Sequence, residues 1–255
     1  MKRILFAFAL SVTTFSFAQD NKVQNIEATY IDEMIINYDD VIQSIPQQHR
    51  SLVADALKAE IEAGIFMTYH LKSNGNMSSF KLEEKVNNAQ GTTGMIAQQI
   101  AATNNKPYYK DLSSSPATYY KEVDTGAKQY LIKESPDFKW KITREKSEIA
   151  GFKVTKAEGV MMDSIKVVAW FAPEITIKDG PATLSGLPGL IIKAEYEVEN
   201  AKMISTLKEL KITDKELKIK LPTKGNIVSE KEFVEEMKAL QKQIQEMMNS
   251  GVDTK

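Results

Sequence analysis

The chain reads as a mainly β protein of the α+β class, an antiparallel curved sheet or half-barrel with an N-proximal helix and a C-terminal amphipathic helix. Three observations predict this. Short alternating runs separated by turn residues fill the chain from Tyr108 to Ile212. An Asn74-Gly75 pair stands between two further alternating runs. Apolar spacing switches to three and four at only two long stretches, near Gln47–Ala63 and near 230–249.

In order, Ile26 to Tyr38 alternates loosely and is expected to open the sheet. Pro46 then begins a helix, where its missing N–H is no loss. Leu52, Val53, Ala56, Leu57, Ile61 and Ile65 give that helix one apolar face. Phe66 to Leu71 and Ser78 to Val86 form a hairpin around Asn74-Gly75, whose residues accept positive φ. Gln90 to Pro107 is a long polar loop that can hold a short helix near Met95–Ala102. Strands follow at Tyr119–Val123, Gln129–Ile132, Trp140–Thr143, Phe152–Ala157 and Val167–Phe171. The last of these is continuously apolar, as expected of a strand covered on both faces. Leu190–Tyr196 and Met203–Ile212 complete an antiparallel meander, and curvature would manage its open edges. Ser229 and Glu232 form a capping box. Phe233, Met237, Leu240, Ile244 and Met247 then mark one face of a helix over about 230–249.

The first residues have the order of a cleaved secretory signal. Lys2 and Arg3 precede an apolar run from Ile4 to Phe17, and the small residues Ser16 and Ala18 stand three and one positions before Gln19, where cleavage is expected. Residues 1–18 are therefore expected to be a signal peptide and 19–255 a single β-rich domain, exported to the periplasm or secreted. The apolar run is too short to span a bilayer, which takes about 20 residues, and no later stretch is long and apolar enough. Cysteine is absent, which excludes disulfides, thiolate chemistry and a lipidated N-terminal Cys. With 33 basic and 34 acidic residues, net charge −1, there is no electrostatic footprint for nucleic acid or for a strongly anionic membrane.

The chain offers no catalytic constellation. Its two histidines, His49 and His70, are far apart and lack metal-ligand spacing. There is no G-x-S-x-G elbow, and Ser185-Gly186 lacks the second glycine spacing of one. No phosphate loop and no G-x-G-x-x-G occur. Eleven methionines raise the question of a soft metal. Three or four of them would have to converge, whereas Met237 and Met247 fit a helix face. No cofactor, metal or catalytic residue is expected.

The most distinctive stretch runs from Trp140 to Ile192. It holds Gly151-Phe152, Lys156-Ala157, Ala169-Trp170-Phe171, Pro173-Glu174-Ile175, Gly180-Pro181 and then Gly186-Leu187-Pro188-Gly189-Leu190-Ile191. Pro188 cannot donate to a ladder and Gly189 tolerates unusual φ, so Leu-Pro-Gly makes a tight turn leading into a strand at Leu190. Leu187, Leu190 and Ile191 would anchor the turn in the core as a clasp, with a functional rim as the alternative.

On these residues the chain resembles the GLPGLI family of exported bacterial proteins. The resemblance covers roughly Ile26 to Lys211 in layout and is sharp from Trp140 to Ile192. The chain departs from the family at Val154, where Cys is frequent, and at Phe171, where Tyr is common. The resemblance implies a β-rich exported protein of unassigned activity, similar in pattern to half-barrels of the lipoprotein-carrier type. The expectation is a non-enzymatic envelope protein that holds an apolar or extended ligand, lipid-like or peptide, in the concave face, with Trp140, Trp170 and Phe171 as contacts. The rivals are an interaction module for an envelope protein and a hydrolase.

Overall fold

The computed structural model describes residues 25–84, 94–162, 164–198 and 200–250. The expected signal peptide lies outside these residues, as do Lys85 and Val86 at the end of the expected hairpin.

Among the described residues, twelve strands form one open, curved sheet in the order β12-β6-β5-β4-β3-β2-β1-β11-β10-β9-β8-β7. In chain order they begin with β1 (Asn25–Ile36), β2 (Ile65–Ser73), β3 (Met77–Leu82), β4 (Tyr108–Asp111), β5 (Thr118–Asp124) and β6 (Gln129–Glu134). They continue with β7 (Lys141–Ile149), β8 (Phe152–Met161), β9 (Ile165–Ala172), β10 (Leu190–Val198), β11 (Ala201–Thr213) and β12 (Asn226–Val228). The helices are α1 (Tyr38–Ser44), α2 (Gln47–Ala63), α3 (Met95–Thr103) and α4 (Glu230–Ser250).

The two long helices fall where their periodicity places them. In α4 the capping box forms as expected: Glu232 N–H donates to Ser229 Oγ at 3.2 Å and Ser229 N–H donates to Glu232 Oε2 at 2.8 Å. The side chain of Met247, expected on the apolar face, lies outside the described residues.

Several details differ from expectation. Ile65, counted in the apolar face of α2, opens β2 instead, and Leu52 on that face is 78% exposed, so the sheet covers the face only in part. Tyr38 belongs not to β1 but to α1, because Asn37 caps a short helix by accepting from Asp39 N–H at 2.8 Å. The meander is not wholly antiparallel: β12 pairs in parallel with β6, Asn226 opposite Tyr130. The strand after Ile142 is interrupted by a register shift before Lys146.

Period-two alternation sorts the sheet into two faces. On the inner face, Ile26, Ala28 and Tyr30 of β1 join Met67, Tyr69 and Leu71 of β2 and Phe80 of β3. Tyr69 stacks on Phe80 with centroids 4.7 Å apart, and Tyr30 meets the same ring edge-on at 5.9 Å. A second apolar cluster, with Val167, Ala169 and Phe171 of β9, Ala157 and Ala194, lies toward the other end of the sheet.

Residues 173–189 form a strap between β9 and β10 that ties the two clusters. Ile175 and Ile177 pack into the first, and Leu184 and Leu187 into the second. Alternation along the strap buries Ile175, Ile177 and Asp179 and exposes Thr176 and Lys178. Asp179 reaches Lys110 of β4, Nζ to Oδ1 2.6 Å, both side chains fully buried. Lys110 also donates to the carbonyls of Gly180 and Leu184 at 2.6 and 3.2 Å.

Candidate functional site

The hexapeptide sits at the end of the strap. Gly189 N–H donates to Leu187 O at 2.8 Å, so Leu187-Pro188-Gly189 is a three-residue γ-turn with Pro188 at its centre. Pro188 is exposed while Leu187, Leu190 and Ile191 are at most 1% exposed. Gly189 is required by close approach, because a Cβ there would stand 2.2 Å from Ala172 O. Ile191 O accepts from the buried hydroxyl of Tyr30 at 2.7 Å. Gly186 has φ +88° and remains exposed. The motif is thus a clasp fastening strap to sheet.

The three aromatic residues expected to touch ligand are spread apart. Phe171 is buried in the second cluster. Trp140 stacks on Phe138 at 5.3 Å and donates Nε1–H to Ser185 O at 2.8 Å, pinning the strap. Trp170 is half-buried, packed against the first cluster. None of the three lines the four cavities around Asp32, under α3, over Thr29 and His70, and beside Gln129.

Sequence reasoning missed a different constellation. On the inner face, a cavity of about 130 Å³ is walled by Tyr69, Phe80, Tyr108 and Tyr196, the methionines Met34, Met67 and Met203, and Ile100 of α3. Ala182 of the strap, Asn104 and one carboxylic acid, Asp32, also reach it. The ladder explains the convergence. Asp32 stands opposite Met67 on one side and Ser205 on the other, and Met203 stands opposite both Met34 and Tyr196.

Asp32 is 8% exposed, and burial pushes its carboxyl up to about 7 although a hydrogen bond from Ser205 Oγ to Oδ1, 2.5 Å long, works the other way. Among the described residues, its Oδ2 has no hydrogen-bond donor and the carboxyl has no ion pair. Tyr69, Tyr108 and Tyr196 are held above the usual phenol range, chiefly by burial and further by carboxylate charge, from Glu230 and then Asp32 for Tyr108 and from Asp32 for the other two, so their hydroxyls stay neutral.

Tyr108 Oη accepts from Lys121 Nζ at 2.8 Å and donates to Asn104 Oδ1 at 3.2 Å. The Lys121 ammonium lies 4.6 Å from the Tyr108 ring centroid, and burial lowers its pKa.

Beside this cavity, α3 and the strands β2 and β3 enclose a larger one of about 480 Å³, lined by Phe66, Met67, Leu82, Ala97, Ala101 and Asn104 among others. Met67 and Asn104 line both, so the two spaces adjoin. The short apolar α3 forms this wall because α2 caps it. Gly94 at its N-cap has no side chain to offer, and Glu60 of α2 accepts instead from Ile96 and Ala97 N–H at 3.1 and 3.0 Å. A Cβ on Gly94 would fall 1.9 Å from the Glu60 carboxyl carbon.

On the opposite face, a broad depression of about 960 Å³ runs over Thr29, His70, Lys72, Lys81, Glu209 and Lys211. Some of its charges are half-exposed and paired in water, as in Lys72–Glu27 at 3.6 Å. Such pairs in water contribute little, about 0–1 kcal/mol, and form no preorganised site. Among the described residues no three His, Cys, Asp or Glu side chains gather in a metal-holding group. No described helix is long and apolar enough to cross a membrane.

Residues 117–193 match the model of a family described as a protein of unknown function (Porph_ging). That stretch, from β5 into β10, contains Trp140, Trp170, Phe171 and the hexapeptide. Asp32, Tyr69, Tyr108 and Tyr196 of the inner cavity lie outside it. The comparison with curated proteins finds no match.

Among solved structures, the chain is similar to PNGF-II in its C2 crystal form, at 14% identity and a TM-score of 0.46, over 81% of this chain and 31% of that one. It therefore spans less than a third of PNGF-II's length. It is also similar to an uncharacterised conserved protein from Thermus thermophilus, at 7% identity and a TM-score of 0.34, over 81% of this chain and 91% of that one. A third similarity is to a putative outer membrane lipoprotein-sorting protein domain from Vibrio parahaemolyticus, at 8% identity and a TM-score of 0.32, over 77% and 88%.

Proposed function

We propose that this is an exported envelope protein, the GLPGLI-type domain of residues 19–255, that binds an apolar or extended ligand on the inner face of its curved sheet without transforming it. The observation that supports this is the pair of adjoining spaces between sheet and α3, the smaller walled mainly by methionine and aromatic side chains and the larger by Phe66, Met67, Leu82, Ala97 and Ala101 together with polar residues that include Thr68, Glu83 and Glu84. Pockets of this kind, apolar with a few polar groups, are typical of small-molecule sites. The polar groups facing the inner cavity are a carboxyl that burial disfavours as an anion and tyrosines held as neutral hydroxyls. They suit recognition by hydrogen bonding. Lipid-like chains suit the apolar part of the larger wall, formed by Met67, Leu82, Ala97 and Ala101.

The rival reading, an interaction module pairing a sheet edge with another envelope protein, has the free edge of β7 to work with. That strand carries Lys141, Arg144, Glu145, Lys146 and Glu148, and charge along an edge discourages pairing.

The test is uptake of an apolar fluorophore by the purified chain and its displacement by neutral C12–C16 chains, with native mass spectrometry of protein drawn from cells. Saturable uptake abolished by Ala101→Trp, which fills the space under α3, is expected. Uptake unchanged in Ala101→Trp would defeat the proposal, and turnover of ester, peptide or glycan substrates would replace it with an enzyme.

A further inference from the structure

Asp32 is an unusual residue to find on this face. Its neighbours in register are Met67 and Ser205, its inward companions on β1 are Tyr30 and Met34, and the alternation of β1 turns it inward with them. A carboxyl buried this far is ordinarily paired, because an isolated anion in such surroundings is costly. Here Ser205 satisfies Oδ1 alone, and no Lys, Arg or His among the described residues pairs with the group.

The space it faces is walled by three tyrosines, a phenylalanine and three methionines. Aromatic faces and thioethers are the soft, electron-rich surfaces that attract a cation. The rim of the same cluster already shows this chemistry, with the Lys121 ammonium lying over the Tyr108 ring and hydrogen-bonded to its oxygen. Lys121 does not itself line the cavity, and its bonds go to Tyr108 and Asn104. An anion entering would meet Asp32, so carboxylate and phosphate heads are disfavoured.

We infer that the Asp32 cavity receives the protonated amine head of an amphiphile whose apolar chain continues into the adjoining space under α3. This rests on the ligand-binding reading and narrows it to one chemical class. The ammonium donates to the free Oδ2 of Asp32 in a space bordered by Tyr69, Tyr108 and Tyr196. The chain passes Met67 and Asn104, which border both spaces, and lies along Ala97 and Ala101 of α3. A soft monovalent metal is the competing occupant, because Met34, Met67 and Met203 gather here. A lone carboxylate, with no second carboxylate, histidine or thiol in the cavity, favours the organic cation.

The experiment is calorimetric titration of the purified chain with dodecylamine, dodecanol and dodecanoate at pH 8, below their aggregation limits, and separately with silver ion. Dodecylamine is expected to bind at least tenfold more tightly than dodecanol, and dodecanoate most weakly. Asp32→Asn should erase the amine preference, bringing dodecylamine affinity to within about twofold of dodecanol affinity in the same variant. Equal affinity for amine and alcohol, or a preference that survives in Asp32→Asn, would overturn the inference and leave the ligand-binding reading standing. Should the variant not fold, the ranking of the three chains on the native protein decides alone. Tight silver binding without amine binding would reassign the cavity to a metal. Failure of all three chains to bind would sink both readings.

Discussion

At the residue scale, Asp32 carries a thermodynamic signature. Its carboxyl is raised from 3.8 to about 7 by burial, so the folded state holds this proton more tightly than the unfolded chain does. A raised acid of this kind favours folding at low pH. Its contribution falls as pH climbs from about 4 to about 7 and is level above that, a span of about 4 kcal/mol at most. Asp32→Asn keeps an acceptor for Ser205 and removes the ionisation. Its melting temperature should exceed that of the native chain by an amount that grows between pH 4 and pH 7 and then stays constant. A gap independent of pH in parallel thermal melts would contradict the assignment.

Gly189 makes the complementary case. With Ala172 O only 2.2 Å from a would-be Cβ, Gly189→Ala must displace backbone and should cost about 1–3 kcal/mol in denaturant titration. The importance of Gly189 was readable from the Leu-Pro-Gly order. Asp32 was not singled out, although one signal existed: Ile26, Ala28 and Tyr30 set an inward parity that a charged residue then continues.

At the element scale, the strap and α3 are tied to the rest of the fold by polar contacts between residues far apart in sequence. Lys110 and Asp179 join β4 to the strap through two fully buried side chains. Removing one partner leaves a buried charge, so Lys110→Met alone should destabilise by about 3–5 kcal/mol, while Lys110→Met with Asp179→Leu should recover much of the loss. Urea midpoints of the two single variants and the double variant would reveal the coupling, and simple additivity would refute it.

For α3, Glu60→Ala removes the acceptor for two N–H groups and should cost about 0.5–2 kcal/mol. The loss should be confined to faster amide exchange in Met95–Thr103. The span of α2 was legible because Pro46 and Gly64 punctuate it and its apolar face has a clear period. The first helix and β12 escaped notice for the opposite reason. Seven and three residues are too few to display a period, and a parallel partner far along the chain leaves no local mark.

At the scale of the whole molecule, the curved sheet, its two long helices and the clasp at Leu187–Leu190 follow from local pattern. The cavity does not. Asp32, Tyr69, Tyr108 and Tyr196 come from four strands, and only the strand order β4-β3-β2-β1-β11-β10 brings them to one face. Tertiary register of that sort is invisible to spacing rules. Filling the cavity should act on the molecule as a unit. A ligand at a hundred times its dissociation constant adds about 2.7 kcal/mol to stability. For a chain of this size that is a rise of roughly 5–10 °C in melting temperature, and Ala101→Trp should show none of it in differential scanning calorimetry.

The bond from the Trp140 indole to Ser185 gives the protein a built-in optical reporter. The chain has two tryptophans, so Trp170→Phe leaves a single emitter whose nitrogen is tied to the strap itself. Its emission maximum would then report the closing of one seventeen-residue segment (173–189) onto the sheet in real time.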